Sequence, residues 1–380
     1  MKVHGPQLRR IKNLWLILVS SVALFLLVGA ITLAHLKSLG GRVSGDRLER
    51  VTRSQHFANG KFHNLLPEQR TSPREALRQL THGLFGREQR VPVAPIPIVI
   101  THESDYAAPV PSVLRITWMG HSSVLVEIDG HRILTDPVWS ERASPVAWAG
   151  PKRFHQVPIS LFELPKIDAV LISHDHYDHL DMSTTQALAA RGTRFIVPLG
   201  VGAHLERWGV PPSQFTEMDW GDETHLAGLT IVAAPARHYS GRNPFRRNET
   251  LWSSWVIRGP VHSVFYSGDT GYSDHFKRIG ERYGPFDVTL MKVGGYDPSW
   301  ADIHMTPEQA VQAHLDSAGH ILVPMHWGTF NMAFHSWSEP IERTVAAATR
   351  ADVQLVVPKP GQIVDLKRPP PLDYWWRSVK

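Results

Sequence analysis

The stretch ISHDHYDHL, residues 172–180, sets three histidines and two aspartates directly behind the apolar run IDAVL at 167–171. Two histidines at spacing two on a strand would project to opposite faces, but on the loop that leaves the strand they can converge on one point. Neutral imidazole and carboxylate together form a ligand set for zinc and related divalent ions. A lone HxH is compatible with a solvated polar turn; His174, His176, Asp178 and His179 behind a buried strand are a metal-binding pattern. Further ligands should then stand at other strand ends. His238 ends LTIVAAPARH, Asp269 ends SVFYSGD and His326 ends HILVPMH, each a metal-binding side chain directly after an apolar run. Together with the cluster they make a candidate set of seven.

The bulk properties are compatible with this. The chain has 380 residues, of which 42% are hydrophobic and 20% charged, the profile of a globular protein with a sizeable core. It has no cysteine, so disulfides and thiolate metal sites are excluded, while 22 histidines are available. A formal charge of +5 is mildly basic. That suits an anionic lipid surface, but without dense Lys/Arg clusters it does not indicate a nucleic-acid partner.

The N-terminus carries a second signal. Residues 14–34, LWLILVSSVALFLLVGAITLA, are uncharged and apolar, and at 1.5 Å rise they match a bilayer core of roughly 30 Å. An uncleaved transmembrane anchor over 14–36 is expected, with a cleaved signal peptide as the rival, after a short tail at 1–13. Lys2, Arg9, Arg10 and Lys12 precede the span and Lys37, Arg42, Arg47 and Arg50 follow it, so charge decides orientation poorly. A single-pass protein with its catalytic domain on the non-cytoplasmic side is expected. Residues 37–112 read as an extension or linker with one short helix near Pro73 to Leu80, and the Pro-punctuated VPVAPIPIV at 91–99 as extended chain or a semi-rigid spacer.

From Val113 to residue 366 the texture is that of the main domain, followed by a C-terminal tail at 367–380. Short β-rich runs come first as hairpins, with Asp129-Gly130 as a turn signal, and then alternate with helical stretches such as TPEQAVQAHLDSAG and SEPIERTVAAATR. Thr306-Pro307-Glu308 is a helix start. Several runs are continuously apolar, as in strands covered on both faces. The pattern predicts two packed sheets with helices outside, an α/β (α+β) class.

The sequence resembles the metallo-β-lactamase superfamily, whose HxHxDH motif reads here as His174 to His179. Within it, the segments TWMGHSSVLVEIDGHRILTDPVWSERASP, SHDHYDHLD, ARHYSGR, TLWSSWVI, SGDTGY and MHWGTF, with GKFHNL in the extension, look like N-acylphosphatidylethanolamine-hydrolysing phospholipase D and its bacterial relatives. The resemblance implies a four-layer αββα sandwich with two mixed sheets and two Zn²⁺ ions, or related divalent ions, per chain. His174, His176 and His238 would hold one ion, Asp178, His179 and His326 the other, and Asp269 would bridge them. It also implies that His304, in WADIHMTPEQ, lines the active site, as a proton donor to the leaving alkoxide or a phosphate-binding group. Asp136, in ILTDPV, is expected to orient ligands through hydrogen bonds.

The expected activity is hydrolysis by a hydroxide shared between two cations. Three features point to a phospholipid substrate: the anchor, an aromatic loop PVWSERASPVAWAGPKRF whose Trp139, Trp148 and Phe154 would meet acyl chains, and GRNPFRR, whose Arg242, Arg246 and Arg247 would hold phosphate. The alternatives are a lactonase for acyl-homoserine or sugar lactones, and a membrane-tethered metal-binding protein without catalysis. RNA processing is disfavoured for lack of an appended RNA-binding region.

Overall fold

The computed structural model describes residues 15–16, 18–22, 36–67, 72–107, 113–243 and 245–379. Two seven-stranded mixed sheets pack face to face. The first contains β3 (Leu114–Gly120), β4 (Ser123–Ile128), β5 (His131–Thr135), β6 (Ala169–Leu171), β7 (Arg194–Pro198), β8 (Phe215–Met218) and β16 (Ile363–Asp365), in the order β16-β3-β4-β5-β6-β7-β8. The second contains β9 (Glu223–Leu226), β10 (Leu229–Ala234), β11 (Ser254–Arg258), β12 (Ser263–Tyr266), β13 (Phe286–Lys292), β14 (Gly319–Met325) and β15 (Gln354–Leu355), in the order β15-β14-β13-β12-β11-β10-β9. Each sheet is antiparallel at its hairpin end, and the β5-β6-β7-β8 and β12-β13-β14-β15 portions are parallel. The hairpins-then-alternation reading of the sequence is therefore the observed order. Asp129 and Gly130 both take positive φ, 48° and 87°, the geometry of a tight two-residue hairpin turn.

The faces of the two sheets share one core in which Trp118, Val126 and Ile133 meet Ile231, Trp255 and Val256. Helices Met182–Ala190, Pro307–Asp316 and Glu339–Arg350 form on the predicted stretches. Thr306 caps the second of them, accepting the Gln309 N–H in a reciprocal capping box.

Four expectations outside the main domain need revision or fall outside the described residues. The extension is not a free linker. A helix, Gly45–Arg53, and a small hairpin of β1 (Phe57–Ala58) and β2 (Lys61–Phe62) lie on the main domain, burying Val51 and Phe62 against Leu199, Leu251 and Trp252. Its Arg47 and Arg50 both reach the buried Glu217 carboxylate, at 2.8 and 2.7 Å. The 91–99 segment is not a spacer either, for Ile96 joins the core and the Val99 N–H donates to Pro360 O. The C-terminal residues are not a loose tail, because Trp375 and Trp376 are buried against Trp327. Large aromatic area is what draws both ends in. Most of the apolar segment 14–34 lies outside the described residues. Among the described residues, no helix is long and apolar enough to cross a membrane.

Candidate metal centre

The parallel strands β5, β6, β12 and β14 all run toward one edge, so the residues that follow them meet there. Asp136 follows β5, the HxHxDH loop follows β6, Asp269 lies just beyond β12 and His326 follows β14. His238 arrives from the neighbouring end of β10. The chain must turn sharply inward at this edge, and Asp136 and His326 do so at positive φ, 35° and 63°. Non-glycine residues are held there only when the surroundings enforce it, and such strain clusters at functional sites.

All seven predicted side chains come together. His174 Nε2 lies 2.8 Å from His176 Nδ1, and His238 Nε2 lies 3.3 Å from that same nitrogen. Asp269 Oδ2 stands 3.3 Å from His179 Nε2, 3.0 Å from His326 Nε2 and 3.9 Å from His238 Nε2, and so touches both halves of the cluster. Asp178 Oδ2 is 3.3 Å from His179 Nε2 and 3.5 Å from His326 Nε2. Ligand atoms around one tetrahedral ion with bonds of ~2.1 Å are spaced by roughly 3.4 Å. These side chains are already at about that spacing.

Electrostatics point the same way. Asp136, Asp178 and Asp269 are buried, and among the described residues their ion-pair partners are all histidines. Burial opposes their charge, yet the facing imidazoles hold Asp178 and Asp269 well below the usual carboxylate range. At His174 burial and neighbouring histidines push the pKa down, and at His238 burial lowers it to about 3, so both are neutral and free to offer a lone pair. Burial also works against a charged His179, but Asp269, Asp178 and Asp136 outweigh it and raise its pKa well above normal. His179 Nε2, His326 Nε2 and Asp269 Oδ1 are buried without any hydrogen-bond partner. Unpartnered buried ring nitrogens, converging carboxylates and the neutral imidazoles of His174 and His238 together fit divalent cations, which would take the place of the protons that the carboxylates favour on His179 and His326.

The supporting residues are equally specific. Asp136, fully buried, accepts from His179 Nδ1 at 2.6 Å, from Ser173 N–H at 2.6 Å, from Ser173 Oγ at 2.5 Å and from the Tyr266 hydroxyl. It thereby fixes the imidazole with Nε2 aimed at the cluster. Asn64 of the extension holds His238 by both backbone groups, at 2.8 and 3.0 Å. His304 lies beside the cluster with its ring 5.1 Å from His238, and its Nδ1 has no partner. Burial, then the nearby Lys292, keeps it neutral.

Two residues that motif reasoning passed over also stand here. His121, at φ 53°, bonds Asp178 Oδ2 at 2.9 Å, and its ring lies tilted 4.0 Å from that of His326. It follows β3 within GHSS, so the strand-end rule that selected His238 and His326 would have found it. Lys292, wholly buried with its pKa pulled by burial to about 7, donates to Met305 O at 3.3 Å and supports the segment carrying His304. It is the last residue of an apolar strand, a position at which a lysine gives no motif.

The expected substrate contacts divide. Arg242 must be withdrawn. It is buried and spent on three carbonyls, Ser38 O (2.5 Å), Asp175 O (2.8 Å) and Leu180 O (2.6 Å), and lies over the Tyr177 and Trp208 rings. Arg246 leans on Gly41 O and Glu249. Arg247 stacks 4.3 Å over Tyr239, whose ring is 4.4 Å from His176, and is the one of the three adjoining the cluster. Trp139 is also withdrawn as an acyl contact, since its indole N–H is tied to Ile159 O at 2.8 Å and its ring packs on the core beneath the first sheet. Trp148 is 82% exposed, whereas Phe154 lines a narrow slot with His121, His326 and Phe330.

Comparison with known proteins gives this geometry a lineage. Residues 131–327 match the model of the beta-lactamase superfamily domain. An uncharacterised Mycobacterium tuberculosis protein is 49% identical over 330 residues, 85% of this chain and 88% of that protein. The N-acyl-phosphatidylethanolamine-hydrolyzing phospholipase D 1 of Caenorhabditis elegans is 34% identical over 268 residues, 67% of this chain and 75% of the relative. Among solved structures, Igni18, a metallo hydrolase from Ignicoccus hospitalis, superposes with a TM-score of 0.52 at 26% identity, covering 66% of this chain and 97% of that one. A domain match over half the chain, on a fold whose strand ends assemble seven histidine and aspartate side chains, places this protein in the metallo-β-lactamase superfamily, as a metal-dependent hydrolase.

Proposed function

We propose that the protein is a phospholipase D-type phosphodiesterase acting on N-acylphosphatidylethanolamine or a related phospholipid with two divalent ions, zinc foremost. The observation that carries the two-ion part is Asp269, which stands within 4 Å of nitrogens from both the His238 half and the His179/His326 half. The ions would be held by His174, His176 and His238 on one side and Asp178, His179 and His326 on the other. Bound there, they would acidify water and polarise a phosphoryl group. The chain does the rest. Asp136 fixes His179, His121 fixes Asp178, and Asn64 fixes His238, so the donor atoms need not reorganise. His304 presents a neutral imidazole beside the His238 half of the cluster. Because burial disfavours its charged form, it is better suited to hydrogen-bond a phosphate oxygen than to carry a stored proton.

The lipid assignment draws support from the Caenorhabditis elegans relative and from the apolar residues 14–34, which we take to tether the catalytic domain to a bilayer. The test is to incubate metal-loaded protein with N-acylphosphatidylethanolamine in mixed micelles and identify products by mass spectrometry. Phosphatidic acid and an N-acylethanolamide are expected, and both should vanish with chelator. Metal-dependent turnover of lactones with none of any phosphodiester would overturn the reading in favour of a lactonase.

A further inference from the structure

Arg153 belongs to the loop between β5 and β6, and its surroundings differ from those of every other buried arginine near the site. Its backbone is fixed. The Arg153 N–H donates to Glu141 O at 2.9 Å, and the Phe154 N–H donates to Thr329 O at 2.8 Å. Thr329 Oγ1 in turn accepts from the His121 N–H at 2.7 Å. The residue is only 9% exposed. Even so, Nε and Nη1 have no hydrogen-bond partner, and Nη2 reaches a single carbonyl, Met119 O, at the long distance of 3.5 Å. No carboxylate lies within 4 Å of its guanidinium among the described residues. Arg242 shows what a structural arginine looks like in this fold, with three carbonyls and two rings around it. Arg132 similarly bonds Glu127 and Tyr106 O.

The position of the unmet donors is informative. The guanidinium stands 5.2 Å from the Phe330 ring, which meets the His121 ring at 5.3 Å, and His121 is bonded to Asp178. Burial lowers the Arg153 pKa to about 10, so the group is still a cation at neutral pH. Asp181 favours its charge from beyond ion-pair distance, but a buried cation without a directly paired counter-charge destabilises a fold unless something compensates it. The fork of an arginine matches two oxygens of a phosphate or carboxylate.

We propose that Arg153 is the anion-recognition residue of this site, taking non-bridging oxygens of the substrate's phosphate from the His121 side of the cluster. The phosphate rests on the phosphodiester reading above; the need for an anion rests on the unmet donors alone.

The experiment uses the full-length, metal-loaded protein and inorganic phosphate as the probe, with Arg153→Met and Arg153→Lys compared with wild type. Calorimetry gives the phosphate Kd, plasma emission the metal content, and thermal melting the stability. Loss of one charge-assisted contact predicts a phosphate Kd weaker by about 10- to 100-fold in R153M, with metal content unchanged. R153K should recover part of the loss, since it keeps charge but not the fork. Removing an uncompensated buried cation should leave Tm unchanged or raise it. An unchanged phosphate Kd in folded R153M, or in R153K should R153M not fold, overturns the inference, as does a drop in Tm with unchanged binding, which marks a structural arginine. Turnover of bis(p-nitrophenyl) phosphate separates the two proposals. Wild type that binds phosphate through Arg153 but cleaves no diester refutes the phosphodiesterase alone, while cleavage with the wild-type KM in R153M refutes Arg153 alone.

Discussion

Replacing Asp136 by asparagine removes one charge and leaves the shape of the side chain almost intact. The carboxylate accepts four hydrogen bonds from three residues: Oδ1 takes the Ser173 N–H, while Oδ2 faces His179 Nδ1, Ser173 Oγ and the Tyr266 hydroxyl. An amide in either flip must point its NH₂ at a donor, toward the backbone N–H in one case and toward the three-donor side in the other. Breaking one partner of a buried charged network costs about 3–5 kcal/mol. For a domain of this size that corresponds to a Tm lower by roughly 10 °C. His179 also loses the acceptor that holds its Nε2 toward Asp178 and Asp269. Disturbing such a supporting partner typically weakens metal affinity about 10- to 100-fold. Titration of the apo variant with zinc against a competing chelator reads the affinity, and melting of apo and loaded forms reads the stability. A zinc affinity within twofold of wild type would refute the reasoning, because it would mean that His179 is held by its packing and not by Asp136.

Four further outcomes follow from the same geometry. Asp269→Ala should reduce bound metal at both positions, read by metal analysis; a single tightly held ion that ignores the substitution would sink the two-ion arrangement. Deleting residues 1–36 should leave a folded domain active on short-chain substrates. Deleting 1–67, or Asn64→Ala alone, should lower metal-dependent activity at least tenfold, since Asn64 holds His238 and the hairpin covers Trp252; equal activity of the two truncations would show the extension to be passive. Burial lowers His314 to about 4, so the unfolded chain protonates first. Stability should therefore be full above pH ~6.5 and fall as pH drops toward 4, by up to ~1.4 kcal/mol per pH unit from this group; urea melts of His314→Asn that keep the wild-type slope would contradict this. His304→Ala should keep its metal and lose similar activity on ethanolamide and nitrophenolate leaving groups, as expected of a phosphate-positioning imidazole; a loss about 10²-fold larger for the ethanolamide would restore the proton-donor role.

The legibility of the site in the sequence has a physical limit that particular residues illustrate. Parallel strands in a layered sheet deliver their C-terminal ends to one edge, so a ligand-type residue directly after an apolar run is informative. That rule, with the HxHxDH loop, picks out all seven side chains, while Asp136 is marked by the family resemblance. The same rule covers His121, which directly follows β3. Lys292 escapes it, because burial of a charged side chain is decided by what packs around it, which no local pattern records.

Arginines show the same limit in sharper form. GRNPFRR and GPKRF look alike as basic loops flanking the motifs, and charge alone assigned phosphate contact to the first. What separates them is the satisfaction of donors. Arg242 is enclosed by Ser38 from the extension, by the carbonyls of Asp175 and Leu180, and by the Tyr177 and Trp208 rings, partners drawn from 38 to 208 along the chain. Ser38 is among those partners only because the extension docks, and the extension docks where Val51 and Phe62 find Leu251 and Trp252. The same docking brings Asn64 to His238. A segment that reads as a linker therefore fixes one candidate ligand, His238, and shares in enclosing one candidate substrate residue, Arg242, whereas Arg153 Nε and Nη1 stay without a partner.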